Sequence, residues 1–444
     1  MTDSAPAADA VTVIRGPALT YTGDPFAQDL ATCRLYDSDA AIVVAGGTIR
    51  AFGPASRVLP SVGADATIAH YPKALILPGF IDCHVHYPQT RMIGAYGAQL
   101  LDWLERHTFV TEQAFADPDH ARSVARAYLG ENLRNGTTSA AVFCTVHPQS
   151  VDVFFEEAEV LGLRMIAGKV IMDRNAPPAL CDDVRRGYDD SKALIERWHG
   201  RGRALYALTP RFAASSTPEQ LEATGALWRE HSGTLLQSHL SENHAEVAWI
   251  RDLFPQARDY VDVYDRFGLL GPRAIYGHGI HLSERERARL SETGTALAHC
   301  PTSNLFLGSG LFDMAAAKVA ARPIRVGLAT DLGAGTTFSM LRTMSAAHAV
   351  AQLRGQALSA GHAFYLATRG AAEALGLEDR IGSIAPGMEA DLVVLDLEST
   401  PLIAFRMAAV RDLDEALFVQ MTLADDRAVR ATYVAGRLAY ERPG

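Results

Sequence analysis

Pro78-Gly79-Phe80-Ile81-Asp82-Cys83-His84-Val85-His86 reads as an apolar strand that ends in two histidines one residue apart. Side chains alternate faces along a strand, so His84 and His86 emerge together, close enough to share one metal ion, while Cys83 turns to the opposite face. Three later apolar runs end in the same way: Gln237-Ser238-His239, Tyr276-Gly277-His278 and Ala329-Thr330-Asp331. Four strand ends carrying ligand-type side chains, in chain order, point to one shared site.

Between these ends, strand-like runs alternate with helical ones, the pattern of parallel βα units. The predicted strands are Leu75–Asp82, Thr137–Phe143, Arg164–Ile171, Ala204–Thr209, Thr234–His239, Ala274–His278, Ala296–His299 and Arg325–Thr330. Eight such units predict an α/β fold, a TIM-like (β/α)8 barrel over residues 75–383, with the site at the carboxyl ends of its strands. The flanks, 1–74 and 384–444, read as short strands and turns. Each has too few strands to bury its own apolar face, so the two are expected to combine into one small β-sandwich.

A chain of 444 residues, 48% hydrophobic, can bury a core larger than one compact domain needs. The net charge of -10 is spread along the chain without a basic stretch, which argues against a nucleic-acid partner and suits a small neutral substrate. No apolar run approaches the roughly twenty residues that cross a bilayer, and Met1 to Ala10 is small and polar, so no membrane partner and a cytoplasmic location are expected. The five cysteines, Cys33, Cys83, Cys144, Cys181 and Cys300, form no Cys-x-x-Cys pair and suggest neither a disulfide frame nor a thiolate zinc site.

Several longer motifs narrow the reading. They are His86-Tyr87-Pro88-Gln89, Leu100-Leu101-Asp102-Trp103-Leu104 leading to Thr108-Phe109, Thr209-Pro210-Arg211-Phe212, His239-Leu240-Ser241-Glu242-Asn243 and His299-Cys300-Pro301-Thr302-Ser303-Asn304-Leu305. With the first strand and the other strand ends, they make the chain resemble the amidohydrolase superfamily and, within it, the guanine deaminases, over almost its whole length. The resemblance implies hydrolytic deamination of guanine to xanthine and ammonia, and a homodimer.

On that resemblance His84, His86, His239 and Asp331 are the metal ligands, three nitrogens and one carboxylate oxygen with a position left for water. The donor set suits one Zn2+ per chain, with Fe2+ as the competitor. Binding to zinc lowers the pKa of water from 15.7 to about 7, so a metal-activated hydroxide is expected to attack C2. Binuclear relatives carry a lysine on the fourth strand. Here that strand ends Leu208-Thr209-Pro210-Arg211, and Lys169, one strand earlier, is expected to be a surface or supporting charge.

Glu242 follows His239 by three residues and, by resemblance, carries protons to ring N3 and to the departing amine; an ordinary helix-capping glutamate is its other reading. His278 is expected beside the attacking water, and Asp331 can take the water's proton. Phe212 offers a stacking face, Arg211 donors for a carbonyl, and Gln89 both donor and acceptor for the ring edge. His239 and His278 complete the expected substrate contacts. A loop position for Arg211 and a core position for Phe212 are the plainer alternatives.

Trp103 and Leu101 read either as a cover for the pocket or as core, and Cys300 and His299 as structural. His244-Ala245-Glu246 matches half of another zinc deaminase signature without its Pro-Cys-x-x-Cys partner and is expected to be a helix surface. Gly333-Ala334-Gly335 lacks the spacing of a nucleotide loop and is expected to bring the chain close to the pocket. Deamination of another ring (8-oxoguanine, a pterin or an aminotriazine), cyclic-amide hydrolysis and a metal-free scaffold on the same barrel remain the alternatives.

Overall fold

The computed structural model describes residues 11–97 and 99–443. Its first five strands are β1 (Thr12–Tyr21), β2 (Arg34–Ala45), β3 (Thr48–Pro54), β4 (Thr67–His70) and β5 (Ala74–Pro78). Then come β6 (Phe80–His86), β7 (Thr137–Phe143), β8 (Arg164–Gly168), β9 (Val170–Ile171), β10 (Leu205–Pro210), β11 (Leu235–Leu240), β12 (Ala274–His278), β13 (Ala296–His299) and β14 (Val326–Leu328). The chain ends with β15 (Leu392–Asp396), β16 (Val429–Val434) and β17 (Arg437–Glu441).

β6, β7, β8, β10, β11, β12, β13 and β14 lie side by side in that order, all parallel, with β9 as a short extension beside β10. Between the two end strands Asp331 N donates to His84 O (2.9 Å) and Thr330 N to Asp82 Oδ1 (2.9 Å). The predicted barrel is present, and Asp82 helps to hold its seam together. β6 is buried along its whole length. Ile81 and Cys83 share a core with residues of the other barrel strands, among them Ala141, Ile166, Ala207 and Ala298, and with the helix Arg369–Leu375, while Val85 alone enters the outer core packed against helices. The ladder between β6 and β7 shifts between Asp82 and Val85, so the strict alternation that would turn Cys83 to the opposite face from His84 does not hold there; beyond the shift Val85 lies opposite Val142 and His86 opposite Phe143.

The two flanks join in one eight-stranded sheet. β5 pairs antiparallel with β15, from Ala74 opposite Asp396 to Pro78 opposite Leu392, so the ends of the chain meet in a single ladder. Side chains from both halves, among them Ile14, Ile42, Ile76, Leu392, Val394 and Tyr433, share one apolar core.

The structure divides the predicted strand Leu75–Asp82. Ala74–Pro78 belongs to the terminal sheet and Phe80–His86 to the barrel. Gly79 is the crossing point: its N–H donates to Asp391 O, and the next N–H, of Phe80, to Gly136 O of the barrel. A Cβ on Gly79 would lie 2.2 Å from Thr138 Oγ1, so only glycine fits there. The strand predicted over Arg164–Ile171 is also interrupted, at Lys169. That lysine is not at the surface: it is fully buried and ion-paired with Asp182.

Candidate active site

At the carboxyl ends of the barrel strands His84, His86, His239, His278, Glu242 and Asp331 converge, all but His239 fully buried. Asp331 Oδ1 is 3.6 Å from His84 Nε2 and 3.8 Å from His86 Nε2, and His86 Nε2 is 3.1 Å from His239 Nε2. The Phe143 ring stands 4.5–4.9 Å from the rings of these three histidines and closes the floor to water.

This dry setting shifts every titratable group. Burial holds His84, His86 and His278 well below the ordinary imidazole range, and brings His239 down to about 3 with help from the Arg211 charge. Asp331 is pushed up to about 7 by burial. Glu242 is raised well above the ordinary carboxylate range, first by burial and then by the neighbouring Asp331 charge. Burial therefore favours neutral imidazoles, the form that binds metal.

The neutral rings are aimed. His239 Nδ1 donates to Arg211 O at 2.6 Å, which leaves its Nε2 lone pair facing His86. Nε2 of His84 is buried without a hydrogen-bond partner. Unpaired imidazole nitrogens and a carboxylate gathered in an apolar cup fit a divalent cation and little else. Cys300 Sγ also lies within 4.8 Å of His84, His278 and Asp331 donor atoms. Its thiol is pushed up by burial and donates to Ala298 O, so it stays a neutral packing group.

Glu242 and His278 stand next to this cluster. Glu242 Oε1 accepts from Ser309 Oγ at 2.9 Å, and Oε2 lies 3.3 Å from His278 Nε2. Asn304 Nδ2 donates to His278 Nδ1 at 2.9 Å, so the ring carries its proton on Nε2, toward Glu242 and the pocket. The backbone here is held in an uncommon form. Ser241 (φ 48°), His278 (φ 74°) and Asp331 (φ 46°) are left-handed without being glycine, a cost of order 1–3 kcal/mol each that the surrounding packing sustains.

A pocket of about 440 Å³, counted to its open mouth, lies over the cluster. Gln89, Arg211 and Phe212 line it as expected, all buried, and Trp103, with Leu100 and Leu104, forms part of the wall. Leu101 is not among the lining residues and is only partly buried. Ala334 of the glycine-flanked turn also reaches the pocket. A Cβ on Gly333 (φ 118°) would lie 2.4 Å from Gln89 Oε1, which shows how closely the backbone passes.

Some functional-looking residues escape the sequence pattern. Glu112 is fully buried and accepts from Arg211 Nη1 with both oxygens, at 2.9 and 2.8 Å; Gln89 Nε2 is 3.4 Å away. Ser309 lies outside every motif, and Asn304, inside the run His299 to Leu305, shows its orienting role only in its contact with His278. Glu246, expected on a helix surface, is instead buried: it caps its helix, accepting from Glu242 N and Asn243 N, and receives the Tyr260 hydroxyl. His244 of the same triplet is exposed.

The amidohydrolase family model matches residues 75–439. The chain belongs to the amidohydrolase family. Within it, the chain groups with the guanine deaminases. It is 48% identical over 415 residues to the guanine deaminase of Escherichia coli (strain K12), covering 94% of each chain. The solved E. coli guanine deaminase superposes with a TM-score of 0.95 at 47% identity, covering 97% of this chain and all of that one. The guanine deaminase of C. acetobutylicum, solved with guanine bound in its active site, matches at a TM-score of 0.84 and 27% identity, over 97% of this amidohydrolase and all of that chain.

Proposed function

We propose that the protein hydrolyses guanine to xanthine and ammonia, acting on the C–N bond of a cyclic amidine in purine breakdown or salvage. The observation that carries this reading is a single pocket that joins an apolar ring face, Phe212, and edge-reading groups, Arg211 and Gln89, to the histidine–carboxylate cluster.

His84, His86, His239 and Asp331 would hold one divalent cation; three imidazoles and a carboxylate suit zinc and accept iron(II). Such an ion supplies water acidic enough to attack at neutral pH. Phe212 stacks on the base, Arg211 donates to O6, and Gln89 meets the ring edge, which places C2 over the cluster. Glu242, whose carboxyl burial raises, gives its proton to N3 as the water oxygen adds to C2, and Asp331 takes the first water proton. The Nε2–H of His278 steadies the oxygen. The second water proton passes through Glu242 to the exocyclic amine, the C2–N bond breaks, ammonia leaves, and C2 keeps its oxygen as a carbonyl. The proton left on Asp331 restores Glu242.

Incubating metal-quantified protein with guanine, while following xanthine by absorbance, tests reaction and substrate together. Faster ammonia release from 8-oxoguanine, a pterin or an aminotriazine would reassign the substrate.

Five free cysteines suit a reducing cytoplasm, and among the described residues no helix is long and apolar enough to cross a membrane. The homodimer implied by the family is a proposal that light scattering tests.

A further inference from the structure

Glu112 takes no part in the chemistry above, yet it touches both side chains that read the edge of the base. It ends the helix Phe109–Glu112, in the same stretch of chain that supplies Leu100, Trp103 and Leu104 to the pocket wall. In an unbroken α-helix Trp103 and Glu112 would face roughly opposite sides, at about 100° per residue. The π-helical turn Leu104–Thr108 between them removes part of that rotation.

The contacts are selective. Glu112 engages only Nη1 of Arg211, and among the described residues no other acceptor meets the guanidinium, so Nε and Nη2 remain free to donate. A carboxylate can only accept, so it must face the NH2 end of Gln89. The Gln89 carbonyl oxygen is thereby turned away from Glu112, and it is buried without a partner. The ion pair also leaves that wall neutral overall, which suits an uncharged base better than an anion.

We infer that Glu112 is a positioning residue for substrate specificity: it sets Arg211 as donor and Gln89 as acceptor, so that the pocket reads a carbonyl next to a ring N–H. The inference deepens the guanine reading and rests on it.

Steady-state kinetics of Glu112→Gln, Glu112→Asp, and Arg211→Ala with and without Glu112→Gln test it. Glu112→Gln should raise the KM for guanine by about tenfold or more while kcat stays within about threefold and metal content and melting temperature hold. Glu112→Asp should fall between wild type and Glu112→Gln. In the Arg211→Ala background, Glu112→Gln should add less than about twofold, because its effect acts through Arg211.

An unchanged KM in Glu112→Gln, or an equal rise with Arg211 already removed, overturns the inference. If Glu112→Gln does not fold, Glu112→Asp decides: a raised KM at constant kcat supports the role, and an unchanged KM rejects it. A wild-type protein that leaves guanine intact counts against the substrate reading alone, and the same variants are then compared on the aminated base that is turned over.

Discussion

His86 and His239, brought together from β6 and β11, face each other Nε2 to Nε2 at 3.1 Å. Burial keeps both rings unprotonated at neutral pH, and His239 already uses its Nδ1–H on Arg211 O. With the His86 proton on its Nδ1, both Nε2 lone pairs point at one place, the arrangement that receives a cation. Purified protein should therefore carry one metal equivalent per chain. An ion present at a hundred times its Kd stabilises a fold by about 2.7 kcal/mol, so chelation should lower the melting temperature as well as stop turnover. Chelated protein with unchanged melting and full activity would contradict the metal site.

Burial raises the Glu242 carboxyl well above the ordinary carboxylate range, and it sits between Ser309 and His278. Glu242→Gln keeps the shape and the contact with Ser309 but cannot cycle a proton. Turnover should drop by roughly 10²–10⁴-fold, the usual worth of a positioned acid–base group, while metal content stays at the wild-type value. Near-normal kcat would take Glu242 out of the mechanism.

Alternation along β6 predicts the shared face of His84 and His86 but misplaces Cys83, because the ladder with β7 shifts between Asp82 and Val85 and Cys83 packs with residues of the other barrel strands and against Ala371. The boundary at Gly79 is hidden because Leu75 to Ile81 is one unbroken apolar run, and what divides it is the contact with Thr138, far along the chain. Glu112 is hidden too. In sequence it is one acidic residue in a helical stretch, and only Arg211, ninety-nine positions later, makes its burial tolerable. Glu246 is legible in the sequence, since Asn243 followed three residues later by Glu246 is a capping-box pattern.

Gly333 leaves room for Gln89 at the pocket wall. Alanine there meets an unfavourable φ of 118° and would put its Cβ 2.4 Å from both Gln89 Cβ and Oε1. Gln89 has to move, so Gly333→Ala should lose a substrate hydrogen bond worth about 1 kcal/mol and raise the KM for guanine about fivefold. Metal content should not change, because no ligand is displaced. A KM equal to wild type would mean that Gln89 does not read the base.

Glu389, just before β15, ties the terminal sheet to the barrel through Arg164 and Arg203. Burial raises its carboxyl, but the hydrogen bond from Arg164 and the charge of Arg203 outweigh that and hold it below its ordinary value of 4.5. A carboxylate with a depressed folded value binds fewer protons folded than unfolded, so its contribution is complete above about pH 4.5 and is lost as the pH falls through the lower folded value. Glu389→Gln should therefore cost about 2 kcal/mol at pH 7, on the scale of hydrogen bonds to charged groups. The gap from wild type should shrink as denaturation is measured at successively lower pH below 4.5, because the wild-type carboxyl then becomes neutral as well. A gap that stays constant down to acid pH would show that Glu389 acts through shape and not through charge.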